Sequence, residues 1–221
     1  MKRIDKSTEP GFWIEFRRKS KFRTYDELDE TPEGREIRSK LRHALFTEQK
    51  GICCYCCSRL KETESHNEHF RPQSRYPQES LDYGNIFCSC NEGNTCGTMK
   101  ADSTYRIVSP AEPTPESHFA YQLDGKIIGL DTIGEDTIKV LNLNYRPLME
   151  KRAACLRECI GMAKYCGREY VMKYFMEPEE ATGMLPRFTD MISYFLNEGL
   201  FDNAEILSGN KYSQPVKLKN N

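Results

Sequence analysis

The 221-residue sequence predicts an α+β fold, on three observations. Apolar residues recur at helical spacing before Gly51 and again after Pro147, while the stretch between 51 and 110 is cut into short segments rich in Cys, Gly, Asn and Pro that no long helix fits. Asp124-Gly125 then separates two apolar runs as the turn of a hairpin. The expected organisation is an N-terminal arm and helix over 1–50, a small cysteine-rich core over 51–110, a hairpin and helical C-terminal part over 111–208, and a flexible polar tail over 209–221.

Residues 1–31 are polar, with a basic aromatic cluster from Phe16 to Arg23 followed by the acids Asp26, Glu27, Asp29 and Glu30. They predict an extended arm whose basic stretch either tracks a phosphate backbone or is solvated surface. Thr31-Pro32-Glu33 is a helix start, with Thr31 as N-cap and Pro32 at the first helical position. Ile37, Leu41, Ala44 and Leu45 form the apolar stripe, and Gly51 ends the helix. His118 to Leu123 and Lys126 to Leu130 read as strands joined by a two-residue turn, because Asp-Gly supplies the positive backbone angles that such a turn requires. Pro147 opens a helix with one stripe through Leu148, Cys155, Leu156, Cys159, Ile160, Ala163, Cys166 and Tyr170. A second helix, around Phe188 to Leu196, carries Met191, Ile192, Phe195 and Leu196 before Gly199.

Thirty-two Lys and Arg against 33 Asp and Glu leave a net charge of -1, which excludes binding to nucleic acid by bulk charge alone. Charged residues make up 29% and the mean hydropathy is -0.70. No apolar run approaches the roughly 20 residues of a membrane span, and the opening MKRIDKSTEPGFW has no apolar h-region, so a cytoplasmic location is expected.

In that compartment thiols stay reduced, so ten cysteines point to metal ligands, catalytic groups or small buried residues rather than to disulfides. Seven lie between Cys53 and Cys96. Cys53-Cys54-Tyr55-Cys56-Cys57 holds two overlapping C-x-x-C pairs, and Cys90 and Cys96 can complete a tetrahedral thiolate site across the loop Asn91-Glu92-Gly93-Asn94. The expected ligands of a structural zinc are Cys53, Cys56, Cys90 and Cys96, leaving Cys54, Cys57 and Cys88 outside. A thiol redox pair would need a surrounding βαβ pattern, which is absent. Cys155, Cys159 and Cys166 belong to the helical stripe as core residues.

Between the cysteine pairs lie Ser65-His66-Asn67-Glu68-His69-Phe70-Arg71-Pro72 and Leu81-Asp82-Tyr83-Gly84-Asn85-Ile86. A carboxylate beside an imidazole sets an oxygen ligand for Mg²⁺ next to a group able to take a proton from water, which is apparatus for phosphodiester hydrolysis. These motifs, with Cys53 to Cys56, Cys90, Cys96 and Lys100, resemble HNH endonucleases of the ββα-metal (His-Me finger) type. More narrowly they resemble the HNH nuclease subunit (PtuB) of Septu-type anti-phage systems, some of which are attached to retrons. Lys2 to Pro10 and Leu141-Asn142-Leu143-Asn144 extend that resemblance.

The resemblance implies a ββα core with His69 as general base, Glu68 as ligand of a catalytic Mg²⁺ or Mn²⁺, and Asn85, on the loop joining the second strand to the helix, orienting the His69 ring. HNH helices often carry a further metal ligand just after the last zinc cysteine, where this chain has Gly97; Asp102 or His66 is expected to substitute. Arg71 and Lys100 are expected phosphate contacts. The implied substrate is DNA or a structured RNA such as tRNA, and the implied partners are an ABC-type ATPase (PtuA-like) and, in retron-linked members, a reverse transcriptase with its RNA–DNA product. The alternative is a catalytically decayed zinc module that binds nucleic acid or a protein partner.

Overall fold

A computed structural model describes residues 1–6, 8–103 and 106–202. The polar tail expected over 209–221, and the last residues of the expected C-terminal part, lie outside these. The element order is α1 (Gly11–Lys19), α2 (Pro32–Glu48), β1 (Ser65–His69), β2 (Ile86–Cys90), α3 (Cys96–Lys100), β3 (Phe119–Tyr121), β4 (Ile127–Gly129), α4 (Thr132–Val140), α5 (Arg146–Cys166), α6 (Arg168–Phe175) and α7 (Thr189–Asn197). Helices thus combine with two separate two-stranded antiparallel sheets, β1–β2 and β3–β4, in an α+β arrangement. Among the described residues, no helix is long and apolar enough to cross a membrane.

α2 starts as its sequence dictates, with the Gly34 amide donating to Thr31 Oγ1 at 3.0 Å and Pro32 at the first position. It ends at Gln49, and Gly51, at φ 70°, returns its amide to the Phe46 carbonyl at 2.9 Å. Leu41 and Leu45 on its inner face are fully buried, and β1 and β2 pack there. Gln49 stitches the pieces together. Its Nε2 donates to the carbonyls of Ile52 (2.9 Å) and Cys88 (2.8 Å), and its Oε1 accepts from the Cys88 amide at 2.7 Å. With the Cys54 amide, which also donates to the Cys88 carbonyl at 3.1 Å, this buried side chain satisfies the outer edge of β2 at Cys88.

Four expectations are corrected. The basic cluster is not in an extended arm: Phe16 to Lys19 close α1, because Trp13 and Phe16, one turn apart, both bury and the cations Arg17, Arg18 and Lys19 sit at the favourable C-terminal end. Phe22 folds back onto Phe16, with ring centroids 5.6 Å apart. The hairpin turn has three residues rather than two, since the Gln122 amide still pairs with the Lys126 carbonyl at 2.9 Å and Gly125, at φ 85°, takes the left-handed position that closes such a loop. The stripe after Pro147 is not one helix: Gly167, at φ 82°, breaks it, which puts Tyr170 on α6. Cys166, last in α5, is exposed, whereas Cys155 and Cys159 are buried core residues as expected.

One continuous buried cluster runs from Met1, Ile4 and Trp13 through the cysteine segment to Phe195 and Phe201. α4, within the part expected to be helical after the hairpin, is capped by Asp131, whose Oδ1 accepts from the Gly134 amide at 2.8 Å. The turn after α4 anchors α3, since the Cys96 amide donates to the Leu141 carbonyl at 2.8 Å and Thr95 Oγ1 donates to it at 2.9 Å.

Candidate functional site

Cys53, Cys56, Cys90 and Cys96 converge: their sulfurs all lie within 4.8 Å of one another and all four residues are buried. A tetrahedral ion with metal–sulfur bonds of about 2.3 Å holds its sulfurs about 3.8 Å apart. The Cys56 and Cys90 sulfurs are 4.0 Å apart. The first pair sits on a tight turn in which the Cys57 amide bonds the Cys53 carbonyl at 3.1 Å, and the Cys90 amide points at Cys53 Sγ from 3.4 Å. Burial pushes the Cys53 thiol up, but hydrogen bonds from Cys54, Cys56, Cys90 and Cys96 outweigh it and hold Cys53 well below the ordinary thiol range. Cys90, through its hydrogen bonds to Cys53 and Cys56, and Cys96, through burial, are pushed well above it. One thiolate among protonated neighbours is what four crowded sulfurs do without a cation; with one, all four can ionise. The cluster could hold a metal such as zinc. Among the described residues it is the one group of three or more Cys, His, Asp or Glu close enough to do so.

Beside it, β1 alternates faces. His66 and Glu68 share the side turned toward α3, whereas His69 turns toward Tyr25, whose ring meets it edge-on at 4.6 Å. Glu68 is 7% exposed and fully engaged on one oxygen: Tyr55 Oη donates to Oε1 at 3.0 Å and Lys100 Nζ lies 2.9 Å from the same atom. Oε2 faces His66 Nε2 at 3.3 Å. Because His66 Nδ1 donates to Asn91 Oδ1 at 2.7 Å, a neutral His66 turns the Nε2 lone pair toward that carboxylate oxygen. Two acceptors at this distance need a proton or a metal cation between them. Two ligands at right angles on an octahedral ion, with bonds of about 2.1 Å, stand about 3.0 Å apart, so the pair suits a shared divalent ion. Burial raises the Glu68 carboxyl, but His66 and Lys100 outweigh it and hold it below the usual carboxylate range. Burial lowers His66, but Glu68 and Asn91 raise it above the usual imidazole range.

Gly97 explains itself here. A Cβ at this position would lie 2.4 Å from Glu68 Oε2 and 2.7 Å from His66 Nε2, so the helix can approach the pair only with no side chain.

His69 is 6% exposed, and its Nε2 bonds the Ser80 carbonyl at 2.8 Å. A carbonyl only accepts, so Nε2 carries the proton and the neutral ring keeps its lone pair on Nδ1. Burial lowers the imidazole below its usual range, more than the Ser80 carbonyl and Glu68 raise it, so the ring is neutral at pH 7.

The remaining expected residues fall differently. Asn85 ends a 3₁₀ turn immediately before β2, so it lies on the connection between the strands, not after the second one. It does not bond the His69 ring, whose partner is Ser80. Its Oδ1 accepts from the Arg71 amide at 2.8 Å and its Nδ2 donates to the carbonyls of Arg71 (3.1 Å) and Glu79 (3.3 Å), fixing the loop on which Ser80 sits. Asp102 is exposed and lines a cavity with Asp26, Gln73 and Ser80; it joins no ligand group with Glu68 and His66. Arg71 stays at the surface, paired with Glu79 at 2.9 Å. Lys100 is turned inward, 4% exposed, with its ammonium on Glu68 and on the His69 carbonyl at 2.8 Å, so it does not present itself to a phosphate. Sequence reasoning missed Tyr55 and Asn91. Tyr55 carried a signal, an aromatic residue with a hydroxyl inside a cysteine turn; Asn91, in a polar loop, carried none.

No protein-family model matches the chain. Over 109 residues it is 32% identical to the Septu protein PtuB of Bacillus thuringiensis. The chain resembles PtuB. The alignment covers 47% of this chain and 41% of that relative, so the chain spans about two-fifths of the length of the relative it matches.

Proposed function

We propose that this chain is a metal-dependent endonuclease of the HNH, ββα-metal type, acting as the nuclease subunit of a Septu-type anti-phage assembly. The observation that carries the reading is the buried His69, its proton fixed on Nε2 by the Ser80 carbonyl, next on β1 to the Glu68 carboxylate, whose Oε2 lies 3.3 Å from His66 Nε2. Supporting it are the order β1, β2, α3 beside the four-cysteine cluster and the likeness to PtuB.

In this reading the four cysteines hold a structural zinc, and Glu68 and His66, rather than Asp102, hold Mg²⁺ or Mn²⁺. The bound ion would neutralise charge on the phosphate and on the leaving oxygen. His69 Nδ1 takes the proton of the attacking water, which requires the neutral ring that burial favours. Asn85 is a positioning residue: it holds the 71–79 loop, and through it the Ser80 carbonyl that fixes the ring. Arg71 exchanges Glu79 for a substrate phosphate, at little cost because exposed ion pairs are weak. With a net charge of -1 and Lys100 turned inward, the chain has little field of its own to attract a polyanion. An ABC-type ATPase partner (PtuA-like), with a reverse transcriptase and its RNA–DNA product where a retron is attached, supplies the hold on DNA or structured RNA.

The test is cleavage of DNA and of tRNA by wild type and His69→Ala, with Mg²⁺ or Mn²⁺ and the cognate ATPase present. Removing a general base lowers the rate by about 10²–10⁴-fold. Equal cleavage by the two proteins sinks the role of His69. A second reading, a zinc module without catalysis, is favoured by the Lys100 ammonium on Glu68; it requires binding of partner or nucleic acid with no cleavage under any of these conditions.

A further inference from the structure

Lys100 is a buried cation with all its donors placed. Its ammonium reaches Glu68 Oε1 at 2.9 Å, the His69 carbonyl at 2.8 Å and the Ala101 carbonyl at 3.4 Å, one acceptor for each of its three N–H groups. Tyr55 shares Oε1, so that oxygen has no lone pair left, and the charge of Glu68 is already balanced. A divalent ion arriving between Oε2 and His66 therefore meets a neutralised carboxylate and the repulsion of an ammonium in a poorly solvated site, where charges act strongly.

The segment that delivers Lys100 is short and ends in a strained residue. α3 has five residues, too few to be stable alone. It ends at Ala101 with φ 42° and ψ -128°, a conformation that costs a side-chain-bearing residue energy and is held here in part by the Lys100 bond to the Ala101 carbonyl.

We propose that Lys100 is a built-in competitor for the cation at Glu68: the ammonium holds the carboxylate in the resting protein, and a divalent ion binds Glu68 and His66 strongly only when Lys100 withdraws. This rests on the reading of Glu68 and His66 as ligands. A substrate phosphate offers the withdrawn ammonium a second anion, so substrate and metal assist each other's binding, and by linkage the assistance is mutual.

The test uses the zinc-loaded full chain and Mn²⁺, followed by calorimetry and by loss of the free-ion paramagnetic signal. Lys100→Met, which keeps length and removes charge, binds Mn²⁺ at least tenfold more tightly than wild type, and Glu68→Gln in that background abolishes the gain. Lys100→Met with wild-type zinc content and circular dichroism but no gain in Mn²⁺ affinity overturns the proposal. If Lys100→Met does not fold, amine acylation of wild type decides: Lys100 is protected without Mn²⁺ and modified several-fold faster with it, whereas modification unchanged while Mn²⁺ binds at Glu68 refutes it. Neither readout involves cleavage. Absence of nuclease activity with these results intact therefore removes the proposed function and leaves the competition standing, whereas Mn²⁺ binding that ignores both Glu68→Gln and His66→Ala removes the ligand reading itself.

Discussion

Replacing Gly97 with Ala tests whether α3 is fitted to the Glu68–His66 pair. The added Cβ would fall 2.4 Å from Glu68 Oε2 and 2.7 Å from His66 Nε2, about 1 Å short of ordinary van der Waals contact with the first. Both atoms belong to side chains whose other ends are held, His66 by Asn91 and Glu68 by Tyr55 and Lys100, so neither yields freely. Overpacking of this kind costs about 1–3 kcal/mol, against a gain of about 1 kcal/mol in helix propensity. A net loss of up to about 2 kcal/mol follows, read as a lowered urea midpoint at unchanged slope. Gly161→Ala is the matched control, because a Cβ there meets nothing within 4 Å in the interior of α5. It is expected to gain about 0.5–1 kcal/mol. The metal readout separates the two further: Gly97→Ala weakens Mn²⁺ binding and Gly161→Ala leaves it alone. If Gly97→Ala is as stable as Gly161→Ala and binds Mn²⁺ like wild type, the close approach of α3 to the pair is wrong.

Gln49→Met keeps the volume but strips three hydrogen bonds, taking this partner from the Ile52 carbonyl and the Cys88 amide, while the Cys88 carbonyl keeps the Cys54 amide at 3.1 Å. It should destabilise by about 2–4 kcal/mol in a denaturant titration, and a change below half a unit would show those groups to be otherwise satisfied. Purified protein should carry about one zinc per chain, lost together with thermal stability in Cys53→Ser or Cys90→Ser; zinc-free protein indifferent to a chelator contradicts this. Because burial holds the His69 imidazole below its ordinary range, the acid limb of kcat/KM should have its midpoint below pH 6.5, and a limb at or above that value denies His69 the role of base. His118, bonded through Nδ1 to Asp131 at 2.6 Å and through Nε2 to Glu112 at 2.8 Å, is raised because these carboxylates outweigh the lowering by burial. Its stabilisation is full below the unfolded value near 6.5 and disappears as the pH rises through the raised folded value, so wild type should lose more stability than His118→Gln across that alkaline window.

The sequence was most legible where local chemistry decides structure. Thr31-Pro32 had one reading, and the α2 start lies there; the cysteine spacing sufficed to pick the four sulfurs that meet. It was least legible where a distant contact decides. α1 looks like a charged arm because its helix rests on burying only Trp13 and Phe16, which no local pattern announces. The stripe through Tyr170 keeps its period across Gly167, so periodicity could not show that a positive φ turns the chain there. Asp124-Gly125 marks the hairpin correctly but not its loop length, which is set by the pairing of Gln122 with Lys126. At the site the glutamate and the histidines could be read, but not what they touch. A lysine is normally read as surface, and only the acceptors gathered from Glu68, His69 and Ala101 make an inward Lys100 favourable.

The five residues of α3 join the two halves of the site, and their order says how. Cys96 opens the helix as a member of the cysteine cluster and hangs by its amide from the turn after α4. Gly97 follows against Glu68 and His66, and Lys100, one turn on, reaches Glu68 and the carbonyl of His69. A helix this short forms no stable structure from its own backbone bonds, because nucleation costs more than one turn returns. Its position must come from its ends, and the end that is covalently specified is a cysteine of the cluster. A metal on the four sulfurs would therefore do more than staple a loop: it would hold the register in which Gly97 and Lys100 meet β1. Dependence should run one way. Loss of the cluster should misplace Gly97 and Lys100 against Glu68 and His66, whereas replacing Glu68 should leave the four sulfurs where they are, because none of their own anchors, the Cys53 turn, the Cys90 amide and the Leu141 carbonyl, passes through that carboxylate.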